Sequence, residues 1–309
     1  MSIAFIYAGQ GSQFVGMGQD LYEQESVYKR TLDQLDVDGT IRELSYHKDL
    51  ETLSRTEHTQ PCMVAFAMAL TDTLHSYGID PDYTLGLSLG EYSALYAAGV
   101  LEAKQTMSLI TFRGQVMATA CKGVSCGMAA VIGLDRESLE EVCQKAQEQG
   151  VVSIANYNCP GQLILSGEEA ALSLASTLAK EAGARRILPL RVSGAFHTSL
   201  MKEAGNALEE RFQEETFSTP KIPVVFNTTA KPLQEHESIS DLLVRQVQSS
   251  VYLEDSIHYL LEQGVTTFIE IGPGKVLSSF VKKIDASVTI YQVENMTSLH
   301  NTIAQLKGE

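Results

Sequence analysis

A chain of 309 residues with 44% hydrophobic and 20% charged residues has the composition of an ordinary globular protein, which excludes a disordered or fibrous chain. The formal net charge of −15 argues against non-specific nucleic-acid binding, although a small basic mouth on an acidic surface would still admit an anionic substrate. No apolar run approaches the roughly 20 residues that a membrane helix needs, and no secretory signal is visible at the N-terminus. We therefore expect a cytoplasmic protein without a nucleic-acid or membrane partner.

The five cysteines indicate reduced thiols. Their number is odd and no two of them form a C-x-x-C pair, so the sequence supports neither a disulfide framework nor a zinc site. We expect no bound metal.

The first part of the chain alternates strands and helices. Apolar residues 3–8 predict a buried strand, which ends in a glycine loop over residues 9–13. The elements predicted next, in chain order, are a helix over 60–77, a strand over 84–87, and helices over 89–98 and 102–121.

The middle of the chain follows a different pattern. Alternating apolar residues and helical stripes predict the order β-α-β-β-α-β, which is the split pattern of a ferredoxin-like unit. The predicted strands cover 128–132, 151–155, 162–166 and 185–190, and the predicted helices cover 136–149 and 168–182. Its length of about 65 residues suits a small inserted domain. We place this subdomain at residues 124–193.

After the insert, helices and strands alternate again. Helices are predicted over 198–217, 238–250 and 276–284, and strands over 223–226 and 268–271. This alternation on both sides of the insert predicts an α/β fold whose mostly parallel sheet is covered on two faces. We therefore predict one catalytic domain formed by residues 1–123 and 194–309.

A G-x-S-x-G motif stands between a predicted strand and a predicted helix, at Gly86-Leu87-Ser88-Leu89-Gly90. Two glycines at this spacing let the backbone turn tightly and raise the Ser88 hydroxyl at a helix N-terminus, where backbone N–H groups and the helix dipole favour negative charge. The motif and its context favour a nucleophile over a serine that only caps the helix. They do not distinguish an esterase from an acyltransferase.

A nucleophilic serine requires a base. Of the seven histidines, His197 lies between the end of a predicted strand and the start of a helix, at the sheet edge expected for Ser88. Its position supports a structural and a catalytic histidine equally. Arg113 lies in an apolar-striped helix, where the pattern favours a surface arginine over a buried guanidinium that grips a carboxylate.

Two glycine loops resemble nucleotide-binding motifs only weakly. Residues 9–11 lack the third glycine of a dinucleotide fingerprint, and residues 272–275 lack the spacing and the Ser or Thr of a P-loop. Both predict tight turns that bring backbone N–H groups close to a site.

Six separated motifs together resemble the malonyl-CoA:acyl carrier protein transacylases, and through them the acyltransferase domains of polyketide and fatty-acid synthases. The resemblance extends from residue 3 to about residue 277. It rests on Gly9-Gln10-Gly11-Ser12-Gln13, on residues 86–94, on Arg113-Gly114, on residues 155–162, on Ala195-Phe196-His197 and on Glu270-Ile271-Gly272-Pro273-Gly274.

The resemblance implies a hydrolase-like α/β core with an inserted ferredoxin-like subdomain, and a ping-pong transfer of malonyl from malonyl-CoA to acyl carrier protein through Ser88. It implies that His197 is the base, that the main-chain carbonyl of Gln246 orients it, and that Arg113 pairs with the malonyl carboxylate. The remaining implied residues are the oxyanion-hole N–H groups of Gln10 and Leu89, and Met117, Asn156, Asn158 and Phe196 around the substrate. Apart from malonyl-CoA and coenzyme A as substrate and product, no cofactor is implied, and we expect a monomer that supplies fatty acid biosynthesis.

The chain departs from many relatives of that family at Leu87, where they have His, and at Ala8, where they have Pro. Neither change removes a proton-transfer group, so we expect altered packing near the elbow and retained catalysis. Phe196 resembles the bulky residue of malonyl-selective acyltransferases. The alternatives that stay open are a serine esterase or thioesterase, an acyltransferase serving a polyketide pathway in trans, and a scaffold without activity.

Overall fold

The computed structural model describes residues 2–308, which form ten strands and fourteen α-helices. The strands are β1 (Ile3–Tyr7), β2 (Tyr83–Gly86), β3 (Cys126–Ile132), β4 (Val152–Cys159), β5 (Gln162–Glu168), β6 (Arg186–Pro189), β7 (Val224–Val225), β8 (Val251–Tyr252), β9 (Thr267–Ile271) and β10 (Thr289–Val293). The helices are α1 (Gln19–Gln24), α2 (Ser26–Leu35), α3 (Thr40–Arg42), α4 (Leu50–Leu53), α5 (Thr56–Ser76), α6 (Gly90–Ala97), α7 (Ala103–Thr119), α8 (Arg136–Ala146), α9 (Glu169–Glu181), α10 (Lys202–Phe212), α11 (Ile239–Gln248), α12 (Leu253–Glu262), α13 (Val276–Ile284) and α14 (Met296–Lys307).

The first sheet is parallel throughout, with the strand order β10-β9-β1-β2-β7. Its central strand β1 is apolar on both faces: Phe5 and Tyr7 pack into one hydrophobic core, and Ala4 and Ile6 pack into another on the opposite side. Continuous apolar strands of this kind require helices on both faces of the sheet. Because parallel strands end at the same edge, the loops that follow β1, β2 and β9 meet there.

The second sheet has the order β6-β3-β5-β4-β8. Its first four strands are antiparallel and belong to the β-α-β-β-α-β segment, and their spatial order is that of a ferredoxin-like unit. The fold class predicted from the sequence is therefore confirmed: an α/β core with a mostly parallel sheet and an inserted ferredoxin-like unit.

The second sheet receives its fifth strand from outside the insert. Strand β8 pairs in parallel with β4, with Asn156 opposite Val251 and Tyr157 opposite Tyr252. The predicted end of β4 at residue 155 is wrong, because this pairing and the pairing with β5 extend the strand to Cys159. Asn156 and Asn158 therefore lie on a strand.

Side chains reinforce this junction between the insert and the core. Arg136 on α8 donates two hydrogen bonds to the Asp255 carboxylate on α12, at 3.2 and 2.8 Å. The rings of Tyr157 and Tyr252 stack with their centroids 5.1 Å apart, and the Arg136 guanidinium lies 4.3 Å from the centre of the Tyr157 ring. These contacts hold the insert against the core beside the site described below.

Several helix and strand boundaries differ from the prediction. The helix predicted over 60–77 begins earlier, at Thr56, and the helix predicted over 198–217 is a short 3₁₀ turn (Ser199–Met201) followed by α10, which ends at Phe212. The elements that the sequence pattern did not predict are α1 to α4, β8, α12, β10 and α14. No helix within residues 2–308 is long and apolar enough to cross a membrane.

Candidate active site

Ser88 lies in a sharp turn between β2 and α6, with a backbone φ of 54°. The flanking glycines allow the turn because the backbones come very close. A Cβ atom at Gly86 would lie 1.9 Å from the carbonyl carbon of Gly90, and a Cβ atom at Gly90 would lie 2.5 Å from the Tyr7 carbonyl oxygen. The G-x-S-x-G motif thus forms an elbow that presents Ser88 at the start of a helix.

His197 contacts Ser88 from a loop more than one hundred residues further along the chain. Its Nε2 lies 2.9 Å from Ser88 Oγ, and its Nδ1 lies 2.8 Å from the carbonyl oxygen of Gln246. A carbonyl oxygen only accepts, so Nδ1 carries the proton and Nε2 is left to accept from the serine hydroxyl. Within residues 2–308 no carboxylate is hydrogen-bonded to this ring.

Burial keeps His197 neutral. Loss of hydration, followed by the positive charge of Arg113, lowers the pKa of His197 to about 4, against the opposing effect of the Gln246 carbonyl. A neutral imidazole at physiological pH has the protonation state that a general base requires.

Arg113 is fully buried on α7, so the interpretation that the helical pattern favoured, a surface arginine, is wrong. Its Nη1 donates to the Gln60 side-chain oxygen at 2.7 Å, and its Nη2 donates to the Gln246 side-chain oxygen at 2.8 Å and to Ser88 Oγ at 3.2 Å. The Nε–H of Arg113 is buried and has no acceptor in the described part of the chain. Each acceptor that holds the guanidinium is neutral.

The carboxyl group that acts electrostatically on Arg113 is also largely neutral. Glu91 on α6 is fully buried, and burial raises its pKa to about 8 against the opposing effects of the Asn227 N–H, Gln246 and Arg113. Among residues 2–308 no ion pair involves Arg113. A buried cation without a counter-ion next to a nucleophile favours a ligand that brings its own carboxylate.

Two backbone N–H groups remain available beside Ser88. Neither the Gln10 N–H nor the Leu89 N–H finds an acceptor within residues 2–308. Leu89 directly precedes α6, and the loop that carries Gln10 is packed so closely on the elbow that a Cβ atom at Gly9 would lie 2.9 Å from the Leu87 carbonyl oxygen. The Gln10 side chain donates to Thr56 Oγ1 at 3.2 Å, which ties this loop to the start of α5.

The other predicted substrate-binding residues make no hydrogen bond to Ser88, His197 or Arg113 within residues 2–308. Met117 is buried on α7, and its sulfur accepts from Gln60 Nε2 at 3.6 Å. Phe196, which directly precedes His197, is buried. Asn156 and Asn158 are buried on β4, and Asn158 Oδ1 has no hydrogen-bond partner in residues 2–308.

A cleft of about 580 Å³ opens beside His197, between residues 248–250 of the core and residues 150–153 of the insert.

The second glycine loop, residues 272–275, forms a tight turn at the end of β9. Gly272 has a φ of 146°, and a Cβ atom there would lie 2.5 Å from the Ala8 side chain. No group of three or more His, Cys, Asp or Glu residues in the described chain could hold a metal ion.

The sequence interpretation missed three residues of this site, namely Gln60, Glu91 and Asn227. Asn227 is fully buried behind the elbow: its Oδ1 accepts from the Ser88 N–H at 2.8 Å and its Nδ2 donates to the Gly86 carbonyl at 2.6 Å. An asparagine directly after an apolar strand, at the sheet edge expected for Ser88, is the signal that would have found it. Gln60 is similarly a lone amide at the start of a densely apolar helix.

Comparison with known proteins identifies the family. The family described as "Acyl transferase domain" matches residues 4–301. The malonyl CoA-acyl carrier protein transacylase of Bacillus subtilis (strain 168) is 43% identical over 310 residues, covering 99% of this chain and 98% of its own length. A crystal structure of MCAT from Streptococcus pneumoniae superposes with a TM-score of 0.93 at 42% identity, covering 98% of this chain and 100% of its own.

A further structure shows a type II PKS acyl-carrier protein in complex with its malonyl-transacylase. It superposes with a TM-score of 0.94 at 35% identity and covers 100% of both chains. The chain therefore belongs to the acyl transferase family that contains the malonyl CoA-acyl carrier protein transacylases.

Proposed function

We propose that this protein transfers a malonyl group from malonyl-CoA to the phosphopantetheine thiol of acyl carrier protein through a malonyl ester on Ser88. The observation that carries the proposal is the position of Ser88 Oγ, 2.9 Å from His197 Nε2 and 3.2 Å from Nη2 of the buried Arg113. This arrangement combines a nucleophile, a neutral base and an unpaired cation.

The first half-reaction forms the acyl-enzyme. His197 Nε2 accepts the Ser88 proton as Oγ attacks the thioester carbonyl carbon, and the carbonyl oxygen becomes an oxyanion. The N–H groups of Gln10 and Leu89 donate to that oxyanion, each contributing about 3 kcal/mol to lowering the barrier. The carbon–sulfur bond then breaks, and the coenzyme A sulfur takes the proton from His197.

The second half-reaction repeats these steps with a different thiol. His197 accepts the proton of the phosphopantetheine thiol, the sulfur attacks the malonyl ester, and Ser88 Oγ leaves with that proton. Since coenzyme A departs before the carrier protein binds, ping-pong kinetics follow. The Gln246 carbonyl holds the His197 Nδ1–H throughout, in the place where many hydrolases have a carboxylate.

Arg113 selects the malonyl group in this mechanism. A guanidinium offers two parallel N–H donors that match the oxygens of a carboxylate. Arg113 Nη2 contacts Ser88 Oγ, and its partners Gln60 and Gln246 leave its charge unneutralised. An esterase or thioesterase would give this buried cation no role.

The partner and setting complete the proposal. We assign acyl carrier protein as acceptor, no cofactor beyond malonyl-CoA and coenzyme A as substrate and product, and a monomeric cytoplasmic enzyme that supplies fatty acid biosynthesis. The relative solved with a type II PKS acyl-carrier protein also supports a carrier protein as acceptor. A polyketide pathway served in trans is the second candidate, on the same observation.

Transfer and hydrolysis are separated by one assay. Release of coenzyme A from malonyl-CoA is followed with and without phosphopantetheinylated carrier protein, and the malonyl-carrier product is quantified by mass spectrometry. We expect at most one rapid turnover without the carrier protein and sustained turnover with it. Sustained release of free malonate in its absence would instead identify a thioesterase.

A further inference from the structure

The Ser88 elbow is held from behind by a buried polar residue that takes no part in the proposed proton transfers. Ser88 has a backbone φ of 54°, in the left-handed region that residues other than glycine rarely adopt. Such a conformation persists where the surrounding structure determines it. Asn227, two residues after the end of β7, supplies two hydrogen bonds to this turn.

The Asn227 side-chain amide spans the turn. Its Oδ1 accepts from the Ser88 N–H at 2.8 Å, and its Nδ2 donates to the Gly86 carbonyl at 2.6 Å, so both faces of the amide are used. A residue of any other hydrogen-bonding pattern would leave one of these buried backbone groups unpaired.

The Asn227 backbone connects the turn to two other elements. Its N–H donates to Glu91 Oε2 on α6 at 2.8 Å, and its carbonyl accepts from the Tyr252 N–H on β8 at 2.9 Å. Strand β8 also pairs with β4 of the insert. Asn227 is thus a junction between the elbow, the helix that follows the nucleophile, and the strand that joins the insert.

We propose that Asn227 is a positioning residue for the transfer reaction, which fixes the Ser88 backbone so that Oγ meets His197 Nε2. This inference rests on the proposed function, because it concerns the rate at which Ser88 is acylated. The Leu89 N–H follows Ser88 directly in the chain, so the two hydrogen bonds from the Asn227 side chain also orient a donor of the oxyanion hole. Loss of these two hydrogen bonds therefore lowers kcat and leaves the KM for malonyl-CoA nearly unchanged.

The Asn227→Asp variant tests this with a chemical switch. A protonated carboxyl can copy the asparagine, since one oxygen accepts from the Ser88 N–H and the O–H donates to the Gly86 carbonyl. An ionised carboxylate can only accept, and it would repel that carbonyl. Burial raises the pKa of such a carboxyl above its usual value, so the carboxyl is protonated at acidic pH and ionises as the pH rises.

Glu91 on α6 contacts the Asn227 N–H, and His197 and Arg113 contact the Ser88 hydroxyl. Arg245 on α11 donates to the side chain of Thr228, the next residue in the chain. The pKa of His197 is about 4 and that of Glu91 about 8. From about pH 5 to about pH 7 neither of these two groups therefore changes its dominant state. The measurement is the single-turnover rate of Ser88 malonylation by malonyl-CoA in this range, as the ratio of variant to wild type.

We expect the ratio for Asn227→Asp to fall with rising pH, by up to about tenfold per unit once the carboxyl ionises. Asn301→Asp makes the same chemical change on the exposed face of α14 and should give a flat ratio near one. Thermal unfolding at each pH shows whether the variant is folded during the assay. A flat ratio for folded Asn227→Asp, with only the unfolding temperature depending on pH, overturns the inference.

If Asn227→Asp does not fold, Asn227→Ala serves instead, with an expected loss of at least about tenfold in kcat at unchanged KM. Unchanged kcat in this variant overturns the inference. The wild-type protein is measured in the same experiment. Absence of malonylation in the wild type contradicts the proposed function itself, so the two failures are distinguishable.

Discussion

The core and the insert differ in how their buried polar groups are satisfied. On the core side, Ser88, His197 and Arg113 are linked by hydrogen bonds of 2.9 and 3.2 Å, and Gln246 contacts all three. On the insert side, Asn158 Oδ1 is buried without a partner in residues 2–308. A linked set is preorganised for chemistry. The Arg113 Nε–H of this set has no acceptor within residues 2–308, so it is suited, like Asn158 Oδ1, to a ligand that arrives.

This difference indicates that the core carries out the chemistry and that the insert contributes mainly to binding. The parallel sheet brings its loops to one edge, and every group assigned to bond making or to recognition of the carboxylate lies there. The insert closes the cleft from the other side, and strand β8 with the Arg136–Asp255 contact holds it in place. Substitutions of Ser88, His197 or Arg113 in the core should therefore alter kcat strongly, and substitutions in the insert should mainly alter substrate binding.

The largest expected effect is the loss of the base. His197→Ala should lower the rate of acylation by roughly 10³–10⁶-fold, as the loss of a catalytic triad member does elsewhere. The KM for malonyl-CoA should change little, because within residues 2–308 the ring makes no hydrogen bond to Arg113, the carboxylate-binding group. Stopped-flow measurement of coenzyme A release tests this. A variant within tenfold of wild type would place the base elsewhere.

Arg113 comes second. Charge-assisted hydrogen bonds contribute about 1.5–3 kcal/mol each, so two of them give roughly 10²–10⁴-fold discrimination for malonyl over acetyl. Arg113→Ala should lose this preference, and Arg113→Lys should behave similarly, because an ammonium cannot reproduce the planar fork. The measurement is kcat/KM for malonyl-CoA and acetyl-CoA in all three proteins. An unchanged ratio in Arg113→Ala would leave this arginine with a structural role.

The pH dependence of kcat/KM tests the electrostatics around His197 and Arg113. With a pKa of about 4, His197 should stay neutral on acidification, so kcat/KM should fall only near that value. An ordinary histidine, with a pKa of about 6.5, would be almost fully protonated by about pH 5. Arg113→Gln removes a positive charge near His197, so the pKa of His197 and the pH below which kcat/KM falls should both rise. The rise should be partial, because burial is the larger cause of the low pKa. A fall of the wild-type kcat/KM that begins near pH 6.5 would contradict this account.

The smallest expected effect concerns docking of the carrier protein, for which the family resemblance implies an acidic surface. One candidate basic cluster lies at the insert (Arg185, Arg186, Arg191), and the other lies around α13 of the core (Lys275, Lys282, Lys283). Charge reversal in the cluster that binds should raise the KM for carrier protein several-fold and weaken its salt dependence, with malonylation of Ser88 unchanged. If neither reversal changes that KM, docking occurs on another surface.

The sequence predicted those parts of the fold whose pattern is local. The elbow, the buried strand β1 and the six elements of the insert each carry their own periodicity or motif. Helices α2, α12 and α14 are ten to twelve residues long and were missed although each has an apolar face of its own. Helices α1, α3 and α4 are only three to six residues long, and the two-residue strand β8 is defined only by its partner β4. Such elements depend on tertiary contacts that no local pattern contains.

The burial of Arg113 shows the same limit at the site. A helical stripe does not reveal whether an arginine at its edge faces solvent or the core. Its acceptors, Gln60 and Gln246, are 53 and 133 residues away in the chain. Family resemblance indicated a role for this residue but none for Asn227, whose only sequence signal is its place after an apolar strand.

The central claim is a malonyl ester on Ser88, and peptide-mapped mass spectrometry after rapid mixing with malonyl-CoA tests it most directly. We predict one malonyl group per protein, located on the peptide that contains Ser88, lost on addition of carrier protein, and absent from Ser88→Ala. Malonylation of another residue, or near-normal turnover by a folded Ser88→Ala variant, would contradict the account.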